Sequence, residues 1–286
     1  MNNKLQIGCH VSIAGGLWNA PENAANLKCE TFQIFSRSPQ GGPVKKIDKE
    51  TIEKFQAAMK QYGFTNFVIH CPYFINFGSS NPRIYHGSVA VLREELERGS
   101  LIGAEYVMFH PGSFKDLGDK QGMKQVKEGL KKVLDGYAGQ TKLLIEISAG
   151  AGSVIGDTFE EIAELMKSIK KHKGFGGICF DTQHAFGSGY DLRTEAAVKK
   201  TFAKLDSVIG LEYMKMMHTN DSKVEFGSHR DRHEHIGQGK IGKAGFQAIL
   251  QFLAAKKLDI PLIFETEHDM VEQDIELMKT LRNKVK

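Results

Sequence analysis

Gly177-Ile178-Cys179-Phe180-Asp181-Thr182-Gln183-His184 is the stretch from which the fold can be read. A short apolar run ends on a carboxylate, and an imidazole follows three residues later. Apolar runs without polar alternation are how strands covered on both faces read, and parallel strands are covered on both faces. The construction recurs along the chain. Phe67-Val68-Ile69 runs into His70, Tyr106-Val107-Met108-Phe109 into His110, and Leu143-Leu144-Ile145 into Glu146. Met214-Lys215-Met216-Met217 reaches His218, and Pro261-Leu262-Ile263-Phe264 reaches Glu265. Metal-competent side chains at the C-terminal ends of so many strands meet only if the strands surround one axis, as at the mouth of a barrel.

Working outward, strands are expected over residues 5–9, 31–35, 66–69, 106–109, 143–145, 177–180, 213–217 and 262–264. Helix-period stretches lie between them. Residues 49–62 put Ile52, Phe55, Ala58 and Met59 on one face, and 88–102 do the same with Val91, Leu92, Leu96 and Leu101. Asp157 is the expected N-cap of a helix over 158–171, with Glu160 three residues on as in a capping box, and further helices are expected over 243–256 and 269–281. Eight strands alternating with helices predict an α/β fold, a (β/α)8 TIM barrel over 1–286 as one domain, with long loops at the C-terminal face of the strands. An open doubly wound sheet would gather its site at one switch point and carry a Gly-x-Gly-x-x-Gly turn after the first strand, which this chain lacks.

At 286 residues and 41% hydrophobic content the chain can bury a full core. No run approaches the roughly 18–20 apolar residues of a membrane span. The start, Met1-Asn2-Asn3-Lys4-Leu5-Gln6, has no apolar leader region, so a cytoplasmic protein without a membrane partner is expected. Cys9, Cys29, Cys71 and Cys179 form no Cys-x-x-Cys pair and read as reduced thiols. A net charge of +4 permits a nucleic-acid partner without requiring one.

Three loops are too long or too polar for simple turns. Residues 36–47 carry Arg37, Lys45 and Lys46; 71–85 carry Tyr73, Phe74 and Asn76; 220–242 carry Lys223, Arg230 and Arg232. All follow strands at the same end of the barrel and read as ordered substrate contacts. The last loop adds Asp231-Arg232-His233, whose i, i+2 spacing points two ligands the same way. The candidate metal ligands are then His70, His110, Glu146, Asp181, His184, His218, Asp231, His233 and Glu265. These are too many for one tetrahedral ion with an open position and suit two or three ions with a bridging carboxylate. Imidazole and carboxylate without thiolate favour Zn²⁺, leaving Mn²⁺ and Fe²⁺ open. Three divalent ions against four ligand carboxylates leave net positive charge, which suits an anion and phosphoryl transfer.

The chain resembles the endonuclease IV family, zinc-dependent apurinic/apyrimidinic (AP) endonucleases, over nearly its whole length. The likeness is carried by Gly8-Cys9-His10-Val11-Ser12-Ile13-Ala14-Gly15-Gly16, His70-Cys71-Pro72-Tyr73-Phe74-Ile75-Asn76 and His110-Pro111-Gly112-Ser113. Asp181-Thr182-Gln183-His184-Ala185-Phe186, His218-Thr219-Asn220-Asp221-Ser222-Lys223, Asp231-Arg232-His233 with Ile236-Gly237-Gln238-Gly239, and Phe264-Glu265-Thr266 complete it. The resemblance implies three Zn²⁺ ions, with Mn²⁺ admissible at one position. One is held by His70, His110 and Glu146, a second by Glu146, Asp181, His218 and Glu265, and a third by His184, Asp231 and His233. It further implies that Glu146 bridges two ions beside a nucleophilic hydroxide and, with Glu265, is catalytic. The implied reaction is hydrolysis 5′ to an abasic site in duplex DNA, leaving a 3′-hydroxyl and a 5′-deoxyribose phosphate. Removal of 3′-blocking groups is implied too, by a monomer.

Tyr73 matches the family residue that enters the minor groove at the lesion, and Arg37, Asn76, Lys223, Arg230 and Arg232 are the further expected DNA contacts. His10 also ends a strand and is expected behind the ligands rather than among them; His229 and His235 are expected as loop or phosphate contacts. The chain departs from the family pattern in the loop Ser36-Arg37-Ser38-Pro39-Gln40-Gly41-Gly42, at Gln183, where many relatives have Cys, and at Ile147, where an Asn often follows the bridging Glu. Two other functions fit parts of the pattern: a divalent-metal sugar isomerase of the same barrel superfamily, and a non-catalytic abasic-DNA binder.

Overall fold

The structure is a computed structural model and describes residues 5–285; the expectation of a leaderless start rests in part on Met1–Lys4, which lie outside that range. The strands are β1 (Ile7–His10), β2 (Thr31–Ile34), β3 (Val68–His70), β4 (Tyr106–Phe109), β5 (Lys142–Glu146), β6 (Phe175–Asp181), β7 (Met214–His218), β8 (Asp221–Ser222), β9 (His233–Glu234) and β10 (Leu262–Phe264). All but β8 and β9 pair in parallel and close into one barrel, β1 meeting β2 on one side and β10 on the other. The expected TIM barrel is the fold. β8 and β9 form a small antiparallel pair inside the loop after β7, with Ser222 opposite His233.

Around the barrel lie α1 (Ala20–Asn26), α2 (Lys49–Tyr62), α3 (Pro82–Ile102), α4 (Asp119–Leu134), α5 (Phe159–Lys167), α6 (Thr182–Gly187), α7 (Glu195–Val208), α8 (Gly242–Ala255) and α9 (Val271–Asn283). α2 matches its expected bounds, capped by the Asp48 side chain accepting from Thr51 N–H and ended by Gly63 in the left-handed region. α3 starts six residues before its expected onset, because Asn81 caps it and Pro82 supplies the preset φ of a first helical position. The loop after β3 is correspondingly shorter. The cap of α5 is Thr158 rather than Asp157: Thr158 is extended and its hydroxyl accepts from Glu161 N–H at 3.2 Å, so the capping pattern is displaced by one residue. Helices α1, α4, α6 and α7 lie outside the expected helical stretches.

Two apolar layers follow from the two faces of each strand. Outward residues such as Phe32, Ile69, Val107, Phe109, Leu143, Phe180 and Phe264 pack against the helices. Inside the barrel a small plug of Val68, Met108, Leu144, Cys179, Met216 and Ile263 fills the axis. Strand side chains alternate faces, so the residue two positions after each plug residue also points inward, one layer nearer the C-terminal mouth. Those residues are His70, His110, Glu146, Asp181, His218 and Glu265. All four cysteines are free; Cys9 and Cys29 bring their Sγ atoms to 3.6 Å.

Gly8 is required where β1 meets β2. A Cβ there would sit 1.8 Å from the Thr31 carbonyl oxygen, a main-chain atom fixed by the barrel ladder. Gly8→Ala is expected to cost at least about 3 kcal/mol, at the upper end of overpacking penalties. Urea unfolding measures it; a loss under about 0.5 kcal/mol would show that the two strands part easily.

Candidate metal centre

The expected ligands are gathered at the mouth of the barrel in overlapping groups whose donor atoms lie within 4.8 Å of one another. One group is His70, His110 and Glu146; another is Glu146, Asp181, His218 and Glu265; a third is Asp181, His184 and His233. Asp231 completes the third, with Oδ2 3.3 Å from His184 Nε2 and Oδ1 3.2 Å from His233 Nε2. Glu146 joins the first two of these groups, and a further one with Cys179 and His218: its Oε2 lies 3.2 Å from His110 Nε2 and its Oε1 2.7 Å from His218 Nδ1. A cavity of about 360 Å³, lined by Tyr73, Asn76, His110, His184 and Asp231 among others, opens beside them.

The donor set fits a metal on a physical test. His70 Nε2, Glu146 Oε2, His184 Nε2 and His233 Nε2 are buried and make no aligned hydrogen bond, although the last three face oppositely charged groups at 3.2–3.3 Å. Buried polar atoms are nearly always hydrogen-bonded, so four such atoms in adjoining groups mark places for a missing partner. The far nitrogen of two of these rings is held by main-chain oxygen: His70 Nδ1 lies 2.5 Å from Cys71 O, and His184 Nδ1 lies 2.9 Å from Ile147 O. This leaves Nε2 of each ring as the nitrogen free to take a ligand. It also removes any need for a polar side chain at Ile147, whose main chain orients the ring.

Electrostatics agree. Burial would raise the Glu146 carboxyl, but His110, His218 and His184 outweigh it and hold Glu146 well below the usual carboxylate range. Burial likewise lowers His184 and His218. In His184, Asp181, Asp231 and Glu146 overcome that; in His218 the Cys179 sulfur, as a hydrogen-bond partner, and the Glu265 and Glu146 carboxylates do, and both rings stand well above the ordinary histidine value. The Cys179 thiol beneath them is pushed up to about 12, chiefly by burial, and stays neutral.

The remaining expected residues divide. Tyr73 is 63% exposed at the mouth, its ring 5.0 Å from that of His70. Lys223, Arg230 and Arg232 lie exposed on the loop after β7. Arg37 does not reach out as a DNA contact: its side chain is 7% exposed, bound by Nε to Glu95 and lying 2.8 Å from Glu94 through Nη2. Glu95 also accepts from Ser36, and Arg98 donates to Ser36 and to Lys45 O, so Arg37 belongs to a buried cluster that ties the loop after β2 to α3. Asn76 uses its carbonyl on Gly78 N–H and Ser113 N–H and shapes the rim rather than facing outward. His235 is buried against Asp274 at 2.8 Å, which removes it from the phosphate contacts. His10 lies behind the ligands; burial, with His218 and His268 nearby, drops it to about 3, so its neutral ring accepts from Gln33 Nε2.

Several residues that build the site were missed. Asn220 donates to Asp181 Oδ2 at 2.7 Å and accepts from Glu265 N–H at 2.8 Å, bridging two ligands. The Asp221 carboxylate gathers N–H groups of Ser222, Gly237, Gly239, Ile241 and Gly242 and so shapes the loop that carries Asp231 and His233. Its signal was the Asp followed by a glycine-spaced stretch. Gln183 donates to Arg230 O at 2.9 Å and pins the same loop.

A family model described as a xylose isomerase-like TIM barrel matches residues 21–281. The chain is 39% identical over 278 residues to a probable endonuclease 4 of Nitrosopumilus maritimus, covering 95% of this chain and 97% of the relative. It is 40% identical over 269 residues to that of Methanoculleus marisnigri, covering 94% of each. The crystal structure of endonuclease IV from Thermus thermophilus superposes with a TM-score of 0.85 at 33% identity, covering 98% of this chain and 99% of that one. A D-tagatose 3-epimerase-like protein shares the fold at 22% identity and a TM-score of 0.77, covering 98% of each chain.

If His184 and His218 ligate a zinc-class cation, the cation competes with protons that the surrounding carboxylates hold on both rings. Zinc affinity is therefore expected to fall as pH drops from about 8 to about 6, with proton release on binding seen as a buffer-dependent calorimetric heat. An affinity flat across that range would contradict the assignment of these rings as ligands.

Proposed function

The chain belongs to the endonuclease IV family of AP endonucleases, and from that premise we propose that it hydrolyses the phosphodiester 5′ to an abasic site in duplex DNA through a three-zinc centre. Four buried ligand-type atoms without an aligned hydrogen bond, in adjoining groups linked through Glu146 and Asp181, are the observation that carries this reading. The first ion is assigned to His70, His110 and Glu146, the second to Glu146, Asp181, His218 and Glu265, and the third to His184, Asp231 and His233. When bound, zinc supplies Lewis-acid polarisation of water and of the phosphodiester.

The chain's own residues do the rest. Glu146, fully buried and ionised, offers one oxygen to each of two adjoining groups and so fixes their separation. Glu265 closes the second group beside it, its Oε2 3.2 Å from His218 Nδ1. Tyr73, exposed above His70, is placed to enter the minor groove at the lesion as an aromatic wedge. A nucleotide without a base has little stacking to lose on leaving the helix, and this supplies part of the selectivity. Lys223, Arg230 and Arg232 on the rim hold flanking phosphates. The products are a 3′-hydroxyl and a 5′-deoxyribose phosphate, and the same centre clears blocked 3′ ends. The protein acts in the cytoplasm as a monomer on chromosomal DNA; no helix among the described residues is long and apolar enough to cross a membrane. The five-histidine donor set and the cationic rim favour this over the sugar isomerase that shares the barrel.

A duplex with one tetrahydrofuran abasic analogue should be cut once, 5′ to the analogue, leaving a polymerase-extendable end, and prolonged EDTA treatment should abolish cutting. Tight binding without a nick by zinc-loaded protein, or aldose–ketose conversion, would overturn the reading. Glu146→Gln should keep the fold by circular dichroism and lower kcat by at least ~10³, the upper range for a key electrostatic group. Binding should weaken with salt with a log–log slope of about −3 if the three cations each release a counterion, and each Ala substitution should reduce the slope by about one.

A further inference from the structure

Six barrel strands supply ligands at the mouth; β1 and β2 present His10 and Gln33, which are neighbours in the ladder. Gln33 is fully buried and spans two ligands of one proposed ion. Its Oε1 lies 2.8 Å from His218 Nε2, and its Nε2 donates to Glu265 Oε1 at 2.8 Å and to His10 Nδ1 at 3.1 Å. These contacts admit one orientation of the amide: an oxygen facing the Glu265 carboxylate would repel it, so the nitrogen faces Glu265 and the oxygen faces His218. His218 Nε2 must then keep a hydrogen for the Gln33 oxygen, so Nδ1, which holds the proton facing Glu146, is the nitrogen that can release it and offer a lone pair to a cation. Nδ1 is the atom that faces the ligand group, 2.7 Å from Glu146 Oε1 and 3.2 Å from Glu265 Oε2. His70 and His184 are oriented by main-chain carbonyls. His218 is oriented by a side chain, and that side chain also sets the carboxylate beside it.

We propose that Gln33 is the positioning residue of the second ion site, fixing the ligating nitrogen of His218 and the rotamer of Glu265 together. It touches neither substrate nor metal. The proposal rests on the three-ion reading above. Partners that orient metal ligands typically account for about 10–100-fold in metal affinity.

The test is chelator-competition titration of zinc on Gln33→Met, which keeps the side-chain length and loses both hydrogen-bonding functions, and on Gln33→Asn, which keeps the amide one methylene short of the span. Circular dichroism checks the fold. One of three ions is expected to bind about 10–100-fold more weakly while the others keep wild-type affinity. On the abasic duplex kcat should fall with KM within about threefold. Wild-type affinity at every site in either variant overturns the proposal, as does equal weakening of all sites, which would mark Gln33 as a general packing residue. If Gln33→Met does not fold, Gln33→Asn decides alone. A wild-type protein that takes up no zinc would instead remove the three-ion reading itself.

Discussion

Strand periodicity inside a closed barrel is the constraint on which the rest of the structure depends. Side chains alternate between the helix layer and the axis, so each strand offers the mouth one residue for each residue it gives to the plug. Val68 precedes His70 by two positions, and the same step joins Met108 to His110, Leu144 to Glu146, Cys179 to Asp181, Met216 to His218 and Ile263 to Glu265. The plug is apolar and closes the axis from below. The candidate ligands above it are therefore buried or half-buried without being able to sink, and they balance charge against one another, helped by neutral donors such as Asn220 and Gln33.

That enforced proximity decides the chemistry. Carboxylates and imidazoles within a few ångströms of one another in a low-dielectric setting exchange protons until charge is paired, as the depressed Glu146 and elevated His184 and His218 show. A divalent cation would compensate the same carboxylates with more charge, which is why the proposed function places metal here. The loops then make the centre selective. The loop after β7 is drawn into shape by Asp221 and brings Asp231 and His233 over the barrel, and the loop after β3 presents Tyr73 beside them.

Much of this was legible because ligands at strand ends leave a local trace: an apolar run followed by His, Asp or Glu. The barrel and the nine candidates followed from that trace, and the division of the candidates among ions came from the family resemblance. What escaped was non-local. Gln33 sits within an ordinary strand, and its importance lies in partners 185 and 232 residues away. Arg37 looked like a free cation because nothing nearby in sequence announces Glu95, which reaches it from α3. Thr158 took the cap from Asp157 because adjacent residues compete for one position, and Pro82 was passed over as a loop residue although Asn-Pro opens α3. α4 carries an apolar stripe including Val126, Leu130 and Val133, but Gly122 and Gly129 inside it weaken the helical signal in sequence.

The central claim is that these strand ends hold three ions in one centre. Elemental analysis of the purified protein, normalised to chain concentration and paired with incision of abasic duplex by the same sample, addresses it most directly. About three zinc-class ions per chain, with activity rising only as the third is filled, is the expected result. Full incision activity at one ion per chain, or with none, would contradict it.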